Sequence, residues 1–185
     1  ITDLQGVWGE LIQGDTLRLS SAEDGSYVAV SNARGVYSNQ AGYDIAFRRT
    51  VSTPGSAAGD IVLSNGAKWS TGNLVIDTSG NVTVNGVIAG DIFTMKRGAW
   101  EQVGDSLPGF EVNDFRFEGG KFLRALGGEG AENKPYKIAD VYGLQGMAST
   151  ELLDKYFVLA NDIDASSTAN WNCGAEGVCA GFRPI

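Results

Sequence analysis

The sequence predicts an all-β chain of short strands, and three observations carry that prediction. Glycine supplies 26 of the 185 residues and proline only 4, an excess that has neither the strict period of collagen nor the joint Pro-plus-Gly signature of disorder. Gly followed by Asp or Asn recurs ahead of strand-like runs: Gly14-Asp15 before TLRLS, Gly59-Asp60 before IVLS, Gly72-Asn73 before LVID, Gly80-Asn81 before VTVNG, and Gly90-Asp91 before IFTM. Gly supplies positive φ at a corner, Asp or Asn tolerates the same region, and the residues after them alternate apolar and polar. The last four starts lie 13, 8 and 10 residues apart, too close for βαβ crossovers, whose connections alone need a dozen or more residues.

Taken in order, residues 1–126 read as glycine-punctuated strands, a degenerate internal repeat. Such spacing fits antiparallel meanders or the successive faces of a right-handed parallel β-helix, and periodicity does not separate the two. Hairpin-type dipeptides occur at Asn65-Gly66 and Asn85-Gly86, whereas most corners are Gly-Asp or Gly-Asn, which suit a bend as well as a reversal. Alternation places Leu17, Leu19, Ile61, Leu63, Leu74, Ile76, Val82, Val84, Phe115 and Phe117 inside. Trp69, Trp100 and Trp171 are expected to fill the core or cover its side, each ring carrying one polar N–H. From Phe110 aromatics replace β-branched residues, so the stack is expected to widen or to carry an extra layer there.

Residues 127–135 (GGEGAENKP) read as a surface loop. Lys137 to Val141 reads as a strand, and Asp140 is placed to cap a helical turn through Leu144, with Leu144 and Met147 pinning it. Ser149 or Thr150 is placed to cap a second short helical piece before a strand over 156–160. One or two short helical turns near 140–155 are the only helix expected.

The most specific segment is 135–185. It runs PYKIADVYGLQG from Pro135, then YFVLANDIDAS from Tyr156, then Trp171, and closes on GFRPI at Gly181 to Ile185. It resembles the GLUG-type repeat segment of very large secreted bacterial adhesins of the filamentous haemagglutinin kind, passengers of two-partner secretion or autotransporter-like systems. The resemblance covers 135–185 well, 90–126 more loosely, and 1–89 in style alone. It implies a right-handed parallel β-helix, or solenoid, running through 1–185 as a single unit, with glycine-punctuated coils to 126, the loop at 127–135 and the adhesin-type repeat at 136–185. It also implies that the chain is a piece of a longer polypeptide whose leader has been removed or lies elsewhere.

Twenty-two acidic against fourteen basic residues give a net charge of −8, which disfavours nucleic acid and anionic membrane surfaces. No apolar run approaches the ~20 residues that span a bilayer. Cys173 and Cys179 enclose a five-residue loop containing Gly174 and Gly177. In an exported protein that spacing favours a local disulfide over two free thiols. Zinc is disfavoured, since it wants four ligands and the chain has no histidine. The same absence excludes Ser-His and Cys-His nucleophilic schemes unless another chain supplies the base.

Paired carboxylates stay open. Asp162 and Asp164 flank an apolar residue, so on a strand they would share one face, where calcium or glycoside chemistry could use them. The competing reading is that Asn161 and Asp164 close a turn by bonding their own backbone. Arg48-Arg49 and Lys96-Arg97 are the basic doublets, read as solvated faces or contacts to an acidic glycan. Tyr37 and Tyr43, near Asn39 and Gln40, form a polar-aromatic patch of the kind that stacks on sugars, though tyrosine is also an ordinary strand residue.

The expectation is therefore a structural shaft or junction of a secreted or cell-surface adhesin, not an enzyme, with no cofactor and no metal. Its expected partners are a host or bacterial surface glycan or protein, the neighbouring coils of one long polypeptide, and further copies end to end. The rival readings are a carbohydrate-binding matrix module and a polysaccharide lyase or hydrolase.

Overall fold

The computed structural model describes the backbone of residues 7–12, 16–21, 44–52, 61–63 and 68–185, and the side-chain environment of 73–76 and 80–185. Ten strands are described: β1 (Val7–Ile12), β2 (Thr16–Ser21), β3 (Asp44–Ser52), β4 (Ile61–Leu63), β5 (Lys68–Val84), β6 (Val87–Val103), β7 (Phe110–Phe117), β8 (Lys121–Ala125), β9 (Tyr136–Ile138) and β10 (Phe157–Leu159). Eight of them form one sheet in the order β1-β2-β3-β5-β6-β7, with β4 beside β5 and β8 beside β6. The fold is thus mostly sheet, with a few short helices after β9.

The sheets are not solenoidal, and the right-handed parallel β-helix expected from the sequence is corrected here. A solenoid repeats one coil so that each face carries its own ladder. In this chain the main sheet begins with an antiparallel pair, Val7 opposite Ser21 through Ile12 opposite Thr16. Register shifts interrupt β3 against β5 and β5 against β6. After Ala125 the main sheet ends, and β9 pairs with β10 in a separate two-stranded sheet.

Beyond the β1–β2 pair the neighbours in the main sheet are parallel, and Gly72, Gly80 and Gly90 lie within β5 and β6 rather than at corners between short strands. β4 pairs β5 (Ile61 with Val82), β5 pairs β6 (Leu74 with Phe93), and β6 carries β7 on its first half and β8 on its second (Phe93 with Phe115, Trp100 with Phe122), all parallel. Asn85-Gly86 joins two strands that pair in parallel, so this dipeptide makes no hairpin. Asn65-Gly66 lies outside the described residues, as do the side chains of Leu17, Leu19, Ile61, Leu63 and Trp69.

Parallel alignment stacks large side chains over one another. Leu74, Ile76, Val82, Val84, Phe115 and Phe117 are buried. The aromatic density from Phe110 onward becomes the centre of the core, where Phe93 stacks on Phe115 at 5.4 Å and meets Trp100 edge-on at 5.3 Å. Trp100 and Trp171 are fully buried, filling the core rather than covering its side. Among the described residues both indole N–H groups lack a hydrogen-bond partner, each a cost of about 1–3 kcal/mol that the surrounding ring contacts must offset.

Residues 126–185 fold back over β7 and β8. Helix α1 (Val141–Gly146) is capped by Asp140, whose Oδ1 accepts from the Gly143 N–H at 2.8 Å. A 3₁₀ turn follows at Thr150–Leu152, and a further one, not expected from the sequence, at Ser166–Asn170. Ser149 sits at the first turn's N-cap position without capping it through its side chain. Its hydroxyl instead accepts from the Phe122 N–H at 2.9 Å and donates to the Gly146 carbonyl at 2.6 Å, fastening the helix end to β8. Leu144, Met147, Tyr136 and Phe157 pack on a second small core of Leu123, Ala125, Ile138 and Leu152.

Candidate functional site

The richest constellation in the described residues is the contact between the 135–185 segment and β6, β7 and β8. Two glycines make it. A Cβ on Gly143 would lie 2.5 Å from the Arg124 carbonyl oxygen, and one on Gly146 would lie 2.1 Å from that of Phe122. The G-L-Q-G spacing puts both hydrogens on the helix side that faces β8, and α1 lies directly on that strand's backbone.

Tyr142 then reaches β7, where its hydroxyl accepts from the Val112 N–H at 3.0 Å and donates back to the Val112 carbonyl at 3.3 Å. Burial holds the phenol above its ordinary value, opposed by the bond from Val112 and reinforced by the nearby Glu111 and Asp140 carboxylates. Gln145, buried, donates to the Arg183 carbonyl at 3.0 Å and accepts from the Arg183 N–H at 2.8 Å. The Arg183 guanidinium donates to the Phe117 carbonyl at 2.9 Å, so the closing GFRPI run is tied to both α1 and β7. Trp171 stacks on Tyr142 at 5.4 Å and tilts over Phe115 at 5.2 Å.

Charged side chains complete this contact. Arg124 donates to Asp140 at 2.5 Å, to the Gln102 Oε1 at 2.6 Å and to the Pro108 carbonyl at 2.6 Å, and lies over the Phe110 ring. Gln102 passes the chain on by donating to the Val84 carbonyl at 2.6 Å. Asp114 accepts from Arg116 at 2.6 and 2.8 Å and from the Asn172 N–H at 2.6 Å, and Arg116 also donates to the Cys173 carbonyl at 2.9 Å. Sequence reasoning did not single out Gln102, Asp114, Arg116, Arg124 or Gln145. Asp-x-Arg within an aromatic strand, two charges on one strand face, was the available signal for Asp114 and Arg116.

Cys173 and Cys179 form a disulfide. Their Cα atoms are 3.8 Å apart, closer than the ~4.4 Å lower end of the usual span. They face each other as an antiparallel bridge, with the Gly174 N–H donating to the Val178 carbonyl at 2.8 Å.

The carboxylate pair is not brought together as a strand-borne site. Asp162 and Asp164 follow β10 in irregular backbone and are exposed. The Asp164 carboxylate accepts from the Ser166 N–H at 2.8 Å, and hydrogen bonds to Ser166 hold its pKa below the ordinary value. Asn161 donates to the Ala139 carbonyl at 3.1 Å, pinning the same turn to the residue that follows β9. No group of acidic, Cys or His side chains suited to a metal occurs among the described residues.

Lys96 and Arg97 are exposed on β6. Tyr37 and Tyr43 lie outside the described residues, as do the side chains of Arg48 and Arg49. A shallow hollow of about 150 Å³ is lined by Val84, Gln102, Ser106 and Pro108 among others, well under the ~300 Å³ at which small-molecule sites begin. Among the described residues no helix is long and apolar enough to cross a membrane.

No family model, no curated protein and no solved structure matches this chain.

Proposed function

We propose that this chain is a structural segment of a secreted or cell-surface bacterial adhesin of the filamentous-haemagglutinin-like kind, bearing load or joining neighbouring parts rather than performing chemistry. One observation carries the reading. The residues of the DVYGLQG part of the adhesin-like motif, with Trp171, are taken up by packing: Asp140 by a cap and an ion pair, Tyr142 by β7, Gly143 and Gly146 by close approach to β8, Gln145 by Arg183, and Trp171 by the aromatic core. A catalytic motif would leave polar groups aimed into a cleft; here the polar side chains of Asp140, Tyr142 and Gln145 are bonded to other parts of the chain.

The disulfide supports an exported location, since such bonds persist in oxidising compartments. A segment of this kind holds other binding regions in place, and attachment or biofilm formation is the activity of the parent protein. The test is the purified chain on an array of neutral and acidic glycans, together with turnover assays on pectin-like and alginate-like polymers. The scaffold reading expects neither retention nor product. Retention lost on Tyr37→Ala or Tyr43→Ala would replace it with a carbohydrate-binding module, and cleavage lost on Asp162→Asn or Asp164→Asn with an enzyme.

A further inference from the structure

Among the described residues no strand covers the outer edge of β10, and its backbone geometry says which groups are available. The Tyr136 N–H donates to the Tyr156 carbonyl at 2.9 Å and the Ala160 N–H to the Ile138 carbonyl at 2.8 Å. Residues 156, 158 and 160 therefore turn their backbone groups toward β9, and by the period of two Phe157 and Leu159 turn theirs away from it. No strand lies on that side among the described residues, since the two-stranded sheet ends at β10.

The side chains along this edge are apolar and exposed. Tyr156, Val158 and Leu159 are 50%, 46% and 58% exposed, and Leu153 just before them is 64% exposed. An open edge with exposed apolar side chains is what a chain normally avoids, because it invites another strand. Both ends of the edge are acidic. Glu151 and Asp154 precede it, Asp162 and Asp164 follow it, all four exposed, and Lys155, paired with Asp154 at 3.2 Å, is the only cation between 151 and 164.

The charges decide between occupants. A second copy paired antiparallel about Val158 would satisfy the outward groups of Phe157 and Leu159, but it would set Asp154 of each copy opposite Asp162 of the other, on chains of net charge −8. An extended peptide with an apolar centre and Lys or Arg at both ends meets the same backbone groups and the acidic flanks with opposite charge.

We propose that β10 is a strand-addition site for such a peptide: an extended, apolar-centred segment with basic ends, held by main-chain hydrogen bonds to Phe157 and Leu159. Its apolar side chains cover Val158 and Leu159, and its basic ends lie against Asp154 and Asp162. The proposal does not depend on the adhesin reading.

The test uses the whole disulfide-bonded chain and the synthetic peptide Lys-Lys-Val-Thr-Val-Thr-Val-Lys-Lys. Binding is measured by fluorescence anisotropy, and hydrogen exchange is read at single amides. The peptide is expected to slow exchange at Phe157 and Leu159 while leaving Val158, already bonded to β9, unchanged. Leu159→Pro removes one outward N–H without touching a bond to β9, a position where an edge strand tolerates proline. It is expected to weaken binding about tenfold with the melting temperature preserved, and a peptide carrying Pro at its central Val is expected to bind as poorly. A peptide with Glu in place of every Lys is expected not to bind.

Absence of binding at millimolar peptide overturns the proposal, as does equal binding by Leu159→Pro, which would reduce the effect to charge attraction. Concentration-dependent dimerisation of the chain that Leu159→Pro abolishes overturns it in favour of a second copy as the occupant. Glycan retention or turnover bears only on the adhesin reading, so the two can fail separately.

Discussion

Gly146 shows how a single hydrogen atom sets the position of a whole segment. Alanine there would gain about 1 kcal/mol of helix propensity, yet its Cβ would stand 2.1 Å from the Phe122 carbonyl oxygen, on a strand fixed by its ladder to β6. Overpacking against backbone outweighs propensity, so Gly146→Ala is expected to lower the unfolding free energy by about 2 kcal/mol net in a denaturant titration. Gly174→Ala, whose nearest neighbour is at 3.7 Å, serves as the tolerated control. Tyr142 gives a pH signature at the same scale. Its folded-state pKa is raised, chiefly by burial, so its contribution is fully present below the unfolded tyrosine value near 10 and is lost as pH climbs through the folded value. Urea midpoints measured from pH 9 to 11.5 are expected to fall with pH, and Tyr142→Phe is expected to flatten that limb. The variant should also start about 1 kcal/mol lower at neutral pH, because the Val112 N–H loses its acceptor.

Among the elements, the disulfide loop tests whether a covalent bond or an ion pair holds the chain end down. Closing so small a loop is worth about 2 kcal/mol in the chain-entropy account. Asp114 and Arg116 independently grip the backbone of Asn172 and Cys173. Reduction is therefore expected to cost about 2 kcal/mol while the Trp171 indole signal stays in place, whereas Asp114→Asn should shift that signal even with the disulfide intact. This division was only partly legible in the sequence. The cysteine pair, the Asp140 cap and the buried alternation at Leu74, Ile76, Val82 and Val84 are local patterns, written within a few residues of each other. The partners of Asp114, Gln145 and Arg124 are not, because Asn172, Arg183 and Gln102 lie 58, 38 and 22 residues away. Of the two readings of the acidic pair, the turn is the one found: β10 ends at Leu159, Asn161 bonds to the Ala139 carbonyl, and the Asp164 carboxylate accepts from the Ser166 N–H.

At the scale of the whole molecule, the expected solenoid failed for a reason local pattern does not contain. Alternation and glycine punctuation indicate strands, but they do not say where a strand ends or how many ladders the strands share: Gly72, Gly80 and Gly90 lie inside the 17-residue β5 and β6, and eight strands share one sheet. Stability is consequently uneven along the chain. β6 is paired on both sides, by β5 and by β7 and β8, and it carries Phe93, Met95 and Trp100, each fully buried. β10, by contrast, is three residues long, paired on one side and largely exposed, and the loop at 174–178 is exposed throughout. Cooperative units open according to the burial and hydrogen bonding they would lose. In native-state hydrogen exchange without added peptide, amides of β6 bonded to β7 or β8 are therefore expected to exchange only with global unfolding and to share one denaturant dependence. Phe157, Leu159 and residues 174–178 should exchange by small fluctuations that denaturant hardly affects. Equal protection across β6 and β10 would mean that the 135–185 segment and the sheet open as one cooperative unit, and would refute this ordering.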